Sequence, residues 1–453
     1  MIEIETHDLQ QKDNQFIHPW EELNQLDQNS RTVITSGKGV YIKDSDGNQL
    51  LDAPAGMWCV NIGHYRKEMA DAIAEQVMTL TYSSPWSLTN SPAAILARKL
   101  SELSPGDLNH VFFATCGSTA VDSALRFVLF RNSALGNPEK KHIISRKNAY
   151  HGSTYLSASA SGKWSDKINL EYKDDTFHHI SDPNLLSKPD GMSDSDYCNK
   201  LADELEQKIL EIGSDQVAAF IAEPVLASGG VLLAPKGYHA ACLEICRKHD
   251  VVYISDEVVT AFGRLGYYFA SEKVFNIIPD IITCAKGITS GYVPLGAFLV
   301  SDRLLSTLAE KSPDAVFSNG FTYSGHPVAC AAALKNIEII EREEILEHVR
   351  SIEPYFQQRL KELKDLPLVR DVRGIGLMAC IECMDCSKNG ELLADSYKLA
   401  EHIDRNCQSL GLLVRPIYNM CVMSPPLIIN HEQIDEMVHK LRLGIELTIS
   451  ELE

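Results

Sequence analysis

The sequence predicts an α/β protein that has a mostly parallel central sheet and a smaller α+β lobe. From about residue 110 to residue 301, short runs that are nearly continuous in apolar residues alternate with helical patterns. Strands of this composition are typical of parallel sheets, because helices cover both faces of such a sheet. The chain has 453 residues, 45% of them apolar, which is enough for one large core and an appended lobe.

The apolar patterns predict the elements in chain order. Val40 and Ile42, and then Leu50 and Leu51, flank a Ser-Asp-Gly-Asn turn, which indicates a β-hairpin. Six apolar runs are predicted to be strands, at 110–114, 142–145, 217–223, 251–258, 281–285 and 296–301. Helical spacing of apolar residues predicts helices at 119–131, 238–250, 331–349, 355–363 and 431–452. The stretch 181–200 is rich in Pro, Gly, Asp and Ser, which predicts a surface loop.

Composition excludes several classes of protein. The chain carries 42 Lys and Arg against 61 Asp and Glu, a formal charge of −19, which repels nucleic acid and anionic lipid. Its 12 cysteines are scattered, as in proteins whose thiols stay reduced. The N-terminus has no basic segment followed by an apolar one, and no apolar run reaches the ~18 residues of a membrane span. We therefore expect a cytoplasmic protein without a nucleic-acid or membrane partner.

Two short motifs carry little weight because of what surrounds them. Gly374, Gly376 and Ala379 match the dinucleotide fingerprint G-x-G-x-x-A, but a strand-like run follows where that fingerprint needs a helix. The three cysteines of Cys380–Cys386 have the spacing of iron–sulfur ligands, but the fourth ligand is missing and the residues alternate as in a strand. The histidines show no zinc spacing, so we predict no metal site.

Three features point to one chemistry. The turn Thr115–Thr119 lies between a predicted strand and a predicted helix, where free N–H groups, a glycine and a hydroxyl can hold a phosphate. Asp256 follows the apolar run VVYIS, and a carboxylate there can stabilise a protonated ring nitrogen. Lys286 follows the apolar run IITCA, where burial lowers a lysine pKa and makes the neutral amine available for a Schiff base.

Each feature alone has an ordinary structural alternative. The first two can be helix caps or turn residues, and a lysine is usually a solvated surface charge. Together, a phosphate turn, a carboxylate for a ring nitrogen and a buried lysine are the three anchors of pyridoxal phosphate.

At this point the chain resembles the class III pyridoxal-phosphate aminotransferases of fold type I, and among them the ω-aminotransferases that use amines and pyruvate. The resemblance covers nearly the whole chain, and the block from Asp256 to Lys286 is its most specific part. The matching segments are YIKDSDGNQLLDAPAGMWCVNIGH, CGSTAVDSALRF, NAYHGST, FIAEPV, ISDEVVTAFGRLG, PDIITCAKGITSGYVPLGA, NGFTYSGHPVACAAAL, VRGIGLM and VRPI.

The resemblance implies a set of cofactor contacts. Lys286 would form the Schiff base with pyridoxal 5′-phosphate and then transfer the proton at the substrate carbon. Asp256 would pair with the ring nitrogen. Gly117 and Ser118 would hold the phosphate, and Thr322 would reach the phosphate of a neighbouring subunit's cofactor, which makes a homodimer the active unit and allows a dimer of dimers.

The resemblance also implies the rest of the site. Tyr150 would lie over one face of the cofactor ring and Val258 against the other, while Glu223 would support the hydrogen bonding around the ring hydroxyl. Arg415 would bind a substrate carboxylate and move aside for an uncharged amine.

Two tryptophans are implied to form the wall of the substrate pocket. Trp58 matches the aromatic residue of the family's substrate site, and Trp86 lies with Tyr82 in the segment that usually supplies further wall. Both could instead be core residues, since tryptophan is also common in cores. Two tryptophans near one site would favour hydrophobic amines.

Two departures from the family pattern concern loops. The usual Gly-Ser-Glu-Ala turn has Thr119 in place of the acid, and the usual Gly-Phe-Gly-Arg-Thr-Gly has Ala261 and Leu265 at two positions. Gly117 and Ser118 are retained, so the implied phosphate contacts are unaffected. Because of these two departures, the subfamily to which the chain belongs stays open.

We therefore expect a two-lobed transaminase. A large cofactor-binding domain would span 61–330, and both chain ends, 1–60 and 331–453, would form the small domain. An amine or ω-amino acid would donate its amino group to an α-keto acid, pyruvate, by a ping-pong mechanism.

Several alternatives remain at this stage. Decarboxylases and aminomutases of fold type I share the same anchors, and a catalytically silent protein could retain the scaffold. The donor is also open among taurine, β-alanine, 4-aminobutyrate, polyamines and aryl-alkyl amines, as are 2-oxoglutarate as an alternative acceptor and the stereoselectivity.

Overall fold

The computed structural model describes residues 6–25, 31–384 and 398–452. The strands are β1 (Ile34–Lys38), β2 (Tyr41–Asp44), β3 (Gln49–Asp52), β4 (His110–Ala114), β5 (His142–Arg146), β6 (Phe177–Ile180), β7 (Val217–Ala222), β8 (Val225–Leu226), β9 (Leu232–Leu233), β10 (Val252–Asp256), β11 (Ile281–Cys284), β12 (Gly296–Val300), β13 (Val369–Ile375), β14 (Met378–Cys383), β15 (Leu412–Leu413), β16 (Arg415–Ile417) and β17 (Met420–Met423). The helices are α1 (Thr6–Asp13), α2 (Ala55–Trp58), α3 (Lys67–Thr79), α4 (Ser91–Leu103), α5 (Gly117–Ala134), α6 (Tyr155–Ala160), α7 (Asp194–Ile212), α8 (Tyr238–Lys248), α9 (Ala270–Lys273), α10 (Asp302–Lys311), α11 (Pro327–Arg342), α12 (Ile345–Lys361), α13 (Leu399–Ser409) and α14 (His431–Leu452).

A seven-stranded sheet with the order β4-β12-β11-β10-β7-β5-β6 forms the centre of the molecule. All six predicted strands are present in it. The pairs β11–β10, β10–β7, β7–β5 and β5–β6 are parallel, whereas β12 is antiparallel to both of its neighbours. Every residue of β7, β10 and β11 is buried, as their continuous apolar sequences predict. The predicted α/β class is therefore confirmed.

The sheet brings the predicted chemical residues to one edge. β10 and β11 are parallel neighbours in which Asp256 is in register with Thr283. Asp256 ends β10 and Lys286 follows the end of β11, so both lie at the carboxyl edge, where α/β proteins bind ligands. The turn after β4 reaches the same region because Ala114 pairs with Gly296.

A second core joins the two ends of the chain. β15 pairs in parallel with β3, so a C-terminal strand completes the N-terminal sheet β1-β2-β3-β15. The predicted hairpin of residues 40–51 forms β2 and β3 of this sheet. A second four-stranded sheet, β13-β14-β17-β16, shares a hydrophobic core with α12, α13 and α14. The domain boundaries at residues 60 and 330 stay a prediction.

Two element predictions are corrected by the structure. The helix predicted at 331–349 is two helices, α11 and α12, because the backbone reverses at Glu344, which has a φ of +52°. The loop predicted at 181–200 ends earlier, since α7 starts at Asp194 with Ser193 as its N-cap, whose hydroxyl accepts the N–H of Asp196 (3.1 Å). Asp194 and Asp196 suit this position because carboxylates stabilise the first turn of a helix.

The dinucleotide-like glycines and the first cysteines of the iron–sulfur-like motif lie in the hairpin of β13 and β14. Gly374 lies in β13 and Ala379 in β14, with a turn at Gly376, so no helix follows the glycines. Cys380 and Cys383 are buried in β14, and Cys386 lies outside the described residues. Within the described ranges, no group of three or more metal-ligating side chains could hold a metal ion, and no helix is long and apolar enough to cross a membrane.

Candidate active site

A cavity of about 640 Å³ opens at the carboxyl edge of the central sheet. The ends of β10 and β11, the start of α5 and the strand β16 contribute to its wall. Nine of the sequence-predicted site residues line it: Trp58, Gly117, Ser118, Tyr150, Glu223, Asp256, Val258, Lys286 and Arg415. Trp20, from the N-terminal segment, lines it as an additional aromatic residue.

Asp256 is held rigidly at the end of β10. Its Oδ1 accepts the hydroxyl of Thr283 (3.0 Å) and the N–H of Val258 (3.2 Å). Its Oδ2 accepts Nδ1–H of His151 (2.6 Å), a residue that sequence analysis did not single out. Both side chains of this pair are buried. The carboxylate is therefore a fixed anion in the cavity wall, because three donors orient it.

Lys286 projects into the cavity from the turn after β11. Its backbone has a φ of +47°, an uncommon conformation for a residue with a side chain. Nζ lies 4.9 Å from the centroid of the Trp58 ring, which is the distance of a cation–π contact. Burial lowers the pKa of the Lys286 amine, so the neutral form is reached at a lower pH than for a surface lysine.

The turn before α5 presents free donors to the cavity. Gly117 and Ser118 are the first two residues of α5, and among the described residues no acceptor binds their N–H groups. Thr119 accepts the N–H groups of Thr115 (3.1 Å) and Cys116 (3.0 Å) through its hydroxyl oxygen. This departure from the family pattern therefore keeps the reciprocal capping role of an acidic residue.

Val258 packs closely against the turn that would hold the phosphate. A Cβ added at Gly117 would lie 2.9 Å from Cγ1 of Val258, so the approach of these two segments requires glycine. Gly152 makes a similar approach, because its Cβ would lie 2.6 Å from Oγ of Ser118. Ser118 accepts the N–H of Ser153 (3.1 Å) through that oxygen, which leaves its hydroxyl proton available to a ligand.

Glu223 and Tyr150 form a second buried group. Glu223 accepts the N–H of Tyr150 (3.0 Å) with Oε1 and the N–H of Ala227 (3.2 Å) with Oε2. Burial raises the pKa of the Glu223 carboxyl and that of the Tyr150 phenol. The Tyr150 ring lies 6.0 Å from that of Trp20, so two aromatic rings face the cavity together.

The outer wall of the cavity is charged. Arg415, at the start of β16, is half-buried, and in the described part of the chain its guanidinium has no hydrogen bond or ion pair. Burial lowers the pKa of this guanidinium. Lys163, Asp166 and Glu401 also line the wall, and no sequence motif pointed to them.

Two predicted site residues do not reach this cavity. Trp86 is 92% exposed, and Thr322 is also exposed; neither lines the wall. The carbonyl oxygen of Thr322 accepts the hydroxyl of Tyr82 (3.0 Å) at the surface. Within a single chain, Trp86 and Thr322 therefore lie outside this cavity, and their roles at the site stay predictions.

Comparison with known proteins identifies the family. The model of the family "Aminotransferase class-III" matches residues 24–445, and the chain therefore belongs to the class III aminotransferases. It is an aminotransferase whose cofactor is pyridoxal 5′-phosphate, as the sequence predicted.

Named relatives are similar over nearly their whole length. The putrescine–pyruvate aminotransferase of Pseudomonas aeruginosa is 39% identical, with 95% of this chain and 94% of that protein covered. The vanillin aminotransferase of Capsicum frutescens is 38% identical, with 90% and 89% covered. The crystal structure of an (S)-enantioselective ω-transaminase from Thermomicrobium roseum superposes with a TM-score of 0.94 at 37% identity, covering 98% of this chain and 99% of that one.

The residues of the cavity fit the cofactor. Gly117 and Ser118 offer free N–H groups to a phosphate, and the close approach of Val258 leaves no room for a Cβ at Gly117. Lys286 offers an amine with a lowered pKa to an aldehyde, and Asp256 offers a fixed anion to a ring nitrogen. All of these groups line one cavity.

Proposed function

We propose that this aminotransferase moves the amino group of a primary amine to pyruvate, with Lys286 as the catalytic residue. The observation that carries the proposal is the position of Lys286, whose amine lies in the cavity at the same sheet edge as Asp256. When bound, pyridoxal phosphate supplies an aldehyde that condenses with amines and a ring that withdraws electrons. The Lys286 amine would bind that aldehyde and later carry the proton of the substrate carbon.

The other residues would orient the cofactor and hold its charges. The Asp256 carboxylate would keep a proton on the ring nitrogen, supported by the hydrogen bonds from Thr283 and His151. Gly117 and Ser118 would bind the phosphate. These roles rest on the fit of the cavity and on the resemblance of the sequence segments.

Three further residues would position the ring. Tyr150 would pack on one face and Val258 on the other, and Glu223 would support the ring hydroxyl. Trp58 would form the wall beside the substrate amine, because its ring already lies 4.9 Å from the Lys286 amine.

Arg415 would recognise the carboxylate of the keto acid. Arg415 has no partner among the residues that the structure describes and lies half-buried in the wall, which suits it to this role, since a guanidinium binds a carboxylate with two parallel hydrogen bonds. The similarity to the putrescine–pyruvate aminotransferase supports pyruvate as the acceptor and an amine as the donor.

We also propose a homodimer, with a dimer of dimers as a further possibility for its assembly. Exposed apolar side chains are concentrated near Trp86, among them Met78 (87% exposed), and exposed apolar patches mark interaction surfaces. Pairing there would bring Thr322 and Trp86 toward a partner's cavity, which would reconcile their surface position with the roles that the resemblance implies. The scattered cysteines support a cytoplasmic location.

The experiment is a two-step spectral titration of the holoenzyme. We expect an amine alone to change the absorbance of the bound cofactor, and pyruvate alone to restore it, because the two half-reactions are separate. Product analysis should give alanine and a ketone or aldehyde. Release of carbon dioxide would instead indicate a decarboxylase, a rearranged amino acid would indicate an aminomutase, and an unchanged spectrum would indicate a silent scaffold.

Replacing Arg415 by methionine should impair the pyruvate half-reaction selectively. Loss of a charged hydrogen-bonding partner should weaken carboxylate binding by about 10- to 100-fold in kcat/KM, because such bonds contribute about 1.5–3 kcal/mol. The half-reaction of an uncharged amine should change little. Single-turnover rates for each half-reaction measure the split, with the exposed Arg370 changed to methionine as the control. Equal losses in both half-reactions would contradict the proposed role.

A further inference from the structure

The turn that carries Lys286, residues 286–290, has an uncommon backbone conformation. Lys286 and Ser290 have φ values of +47° and +50°, a region that residues other than glycine rarely occupy. Such a conformation persists only where the surrounding structure holds it in place. The position of the Lys286 amine therefore depends on what holds this turn, which we call the Lys286 turn.

Two backbone hydrogen bonds inside the Lys286 turn are long. The N–H of Thr289 donates to the carbonyl of Lys286 at 3.4 Å, and the N–H of Ser290 donates to the carbonyl of Gly287 at 3.3 Å. Hydrogen bonds from N–H to oxygen usually have lengths of about 2.7–3.2 Å. These two bonds therefore hold the turn only weakly.

Asn336, in the middle of α11, makes shorter bonds to the same turn. Its Nδ2 donates to the carbonyls of Gly287 (2.9 Å) and Ile288 (3.1 Å), and its Oδ1 accepts the hydroxyl of Ser290 (2.6 Å). The side chain is 0% exposed, and it is the only amide or charged side chain among the buried residues of α11. A buried amide is costly unless its polar atoms are paired, and the partners of this one lie in the Lys286 turn.

Ser290 extends these contacts to the segment that carries Trp58. Its Oγ accepts the N–H of Ile62 (3.3 Å) while its hydroxyl proton is donated to Asn336. The Trp58 ring lies 4.9 Å from the Lys286 amine. The network around Asn336 therefore connects the segments that carry the amine and its aromatic neighbour.

The other side of the Lys286 turn is closely packed. A Cβ added at Gly287 would lie 2.4 Å from Nδ2 of Asn61 and 2.9 Å from Cβ of Phe262. Asn61 is itself held there, because its Nδ2 donates to the carbonyl of Phe262 (2.8 Å). The turn has no room to move in that direction, so removal of the Asn336 amide would leave space only on the side of α11.

We propose that Asn336 is a positioning residue that fixes the Lys286 turn and thereby aims the Lys286 amine into the cavity. Asn336 does not line the cavity, so it would act through the carbonyls of the turn and through Ser290. Its effect on the rate rests on the proposed function, because that function makes Lys286 the catalytic residue. Its effect on the turn can be measured without turnover.

The first test compares Asn336→Ala with Asn132→Ala in the holoenzyme. Asn132 is also buried, and its Nδ2 donates to the carbonyl of Lys140 (2.8 Å) at the C-terminal end of α5. Both variants should lose stability in chemical denaturation. Only Asn336→Ala should lower the saturating rates of both half-reactions, each by about 10- to 100-fold, because a small displacement of a reacting group has an effect of this size.

The half-saturating concentration of pyruvate should stay nearly constant in Asn336→Ala. Arg415, which is proposed to bind the keto acid, lies in another element and does not contact Asn336. A loss shared by both half-reactions, without weaker binding of pyruvate, also distinguishes this variant from the Arg415 variant.

Hydrogen exchange of the holoenzyme without substrates provides a readout that does not depend on turnover. In Asn336→Ala, the amide protons of the Lys286 turn and of residues 58–62 should exchange at least about tenfold faster, because local opening becomes less costly. Amide protons of β5 and β6 should exchange as before. Asn132→Ala should leave exchange in the Lys286 turn unchanged.

Ser290→Ala decides the question if Asn336→Ala does not fold. It removes the hydroxyl that joins Asn336 to Ile62 and keeps the two bonds from Asn336 to the carbonyls of the turn. Both half-reactions should slow by a smaller factor than in Asn336→Ala. The double variant should lose no more than Asn336→Ala alone, because the two residues belong to one network.

The outcomes separate this inference from the proposed function. Equal losses of rate in Asn336→Ala and Asn132→Ala would overturn the inference, as would faster exchange spread over the whole chain, because either result would indicate a general structural role. Unchanged half-reactions in Ser290→Ala would also overturn it. Absence of turnover with every amine by the natural protein would overturn the proposed function, and hydrogen exchange would still decide whether Asn336 holds the turn.

Discussion

Lys286→Ala should reduce transamination by at least about a thousandfold, the largest effect that we expect from a single substitution. The variant loses the amine that binds the cofactor aldehyde and the group that moves the proton at the substrate carbon. The surrounding wall should persist, because among the described residues Nζ has no hydrogen-bonding partner that its removal would leave unpaired; it lies over the face of Trp58.

Three measurements check this result. Borohydride reduction followed by peptide mapping should locate the cofactor on Lys286 in the natural protein and on no lysine in the variant. Steady-state rates give the loss, and Lys140→Met, a buried lysine paired with Asp250 on another face, is the control. Because burial lowers the pKa of Lys286, its capture of added cofactor should persist at a lower pH than that of a surface lysine. Near-normal turnover by Lys286→Ala would refute its assignment.

Asp256→Asn should lower kcat by about 100- to 10,000-fold and the free energy of unfolding by about 1–3 kcal/mol, because the buried Nδ1–H of His151 loses its acceptor. An amide can replace the contacts to Thr283 and Val258 but cannot supply the negative charge that holds a proton on the ring nitrogen. The estimate follows from the usual contribution of a positioned proton-transfer or charge-stabilising group. The absorbance of the bound cofactor should also change, since its ring would lose the proton.

The adjacent Glu257 is a matched control for Asp256. Glu257 is fully buried, and it accepts the N–H of Ala270 (2.6 Å) and both the N–H (3.0 Å) and the hydroxyl (2.5 Å) of Ser271. Glu257→Gln should therefore lower the free energy of unfolding by about 1–3 kcal/mol, because buried partners lose an acceptor. Chemical denaturation and rates per folded enzyme separate the two effects. A larger loss of kcat in Glu257→Gln than in Asp256→Asn would contradict the catalytic role of Asp256 and the structural role of Glu257.

Much of the fold follows from local patterns. The strands that end at Asp256 and before Lys286 are continuous apolar runs, and only a sheet covered on both faces buries every side chain of such strands. Carboxyl ends of neighbouring parallel strands meet at one edge, so the pairing of an acid with a lysine could be predicted from the order of the strands. The segments that resemble class III aminotransferases then assigned roles to the remaining site residues.

Long-range packing set the limits of that prediction. Helical spacing continues through Glu344, but its φ of +52° ends the regular helix there, and Ile340 and Ile345 on either side of it pack into the second core. The contact between His151 and Asp256 joins residues 105 positions apart. Trp86 lies in the segment that the resemblance assigns to the substrate wall, but it is on the surface of a single chain.

By itself, the sequence determined the α/β class, the strand ends that carry Asp256 and Lys286, and the glycine turn at the start of α5. These depend on local periodicity and on short motifs, which act within a few residues. Only the tertiary structure decided that Trp58 covers the Lys286 amine and that Asp166 and Glu401 enter the same cavity wall as Arg415. These residues are distant in sequence, so no local pattern could place them in one cavity wall.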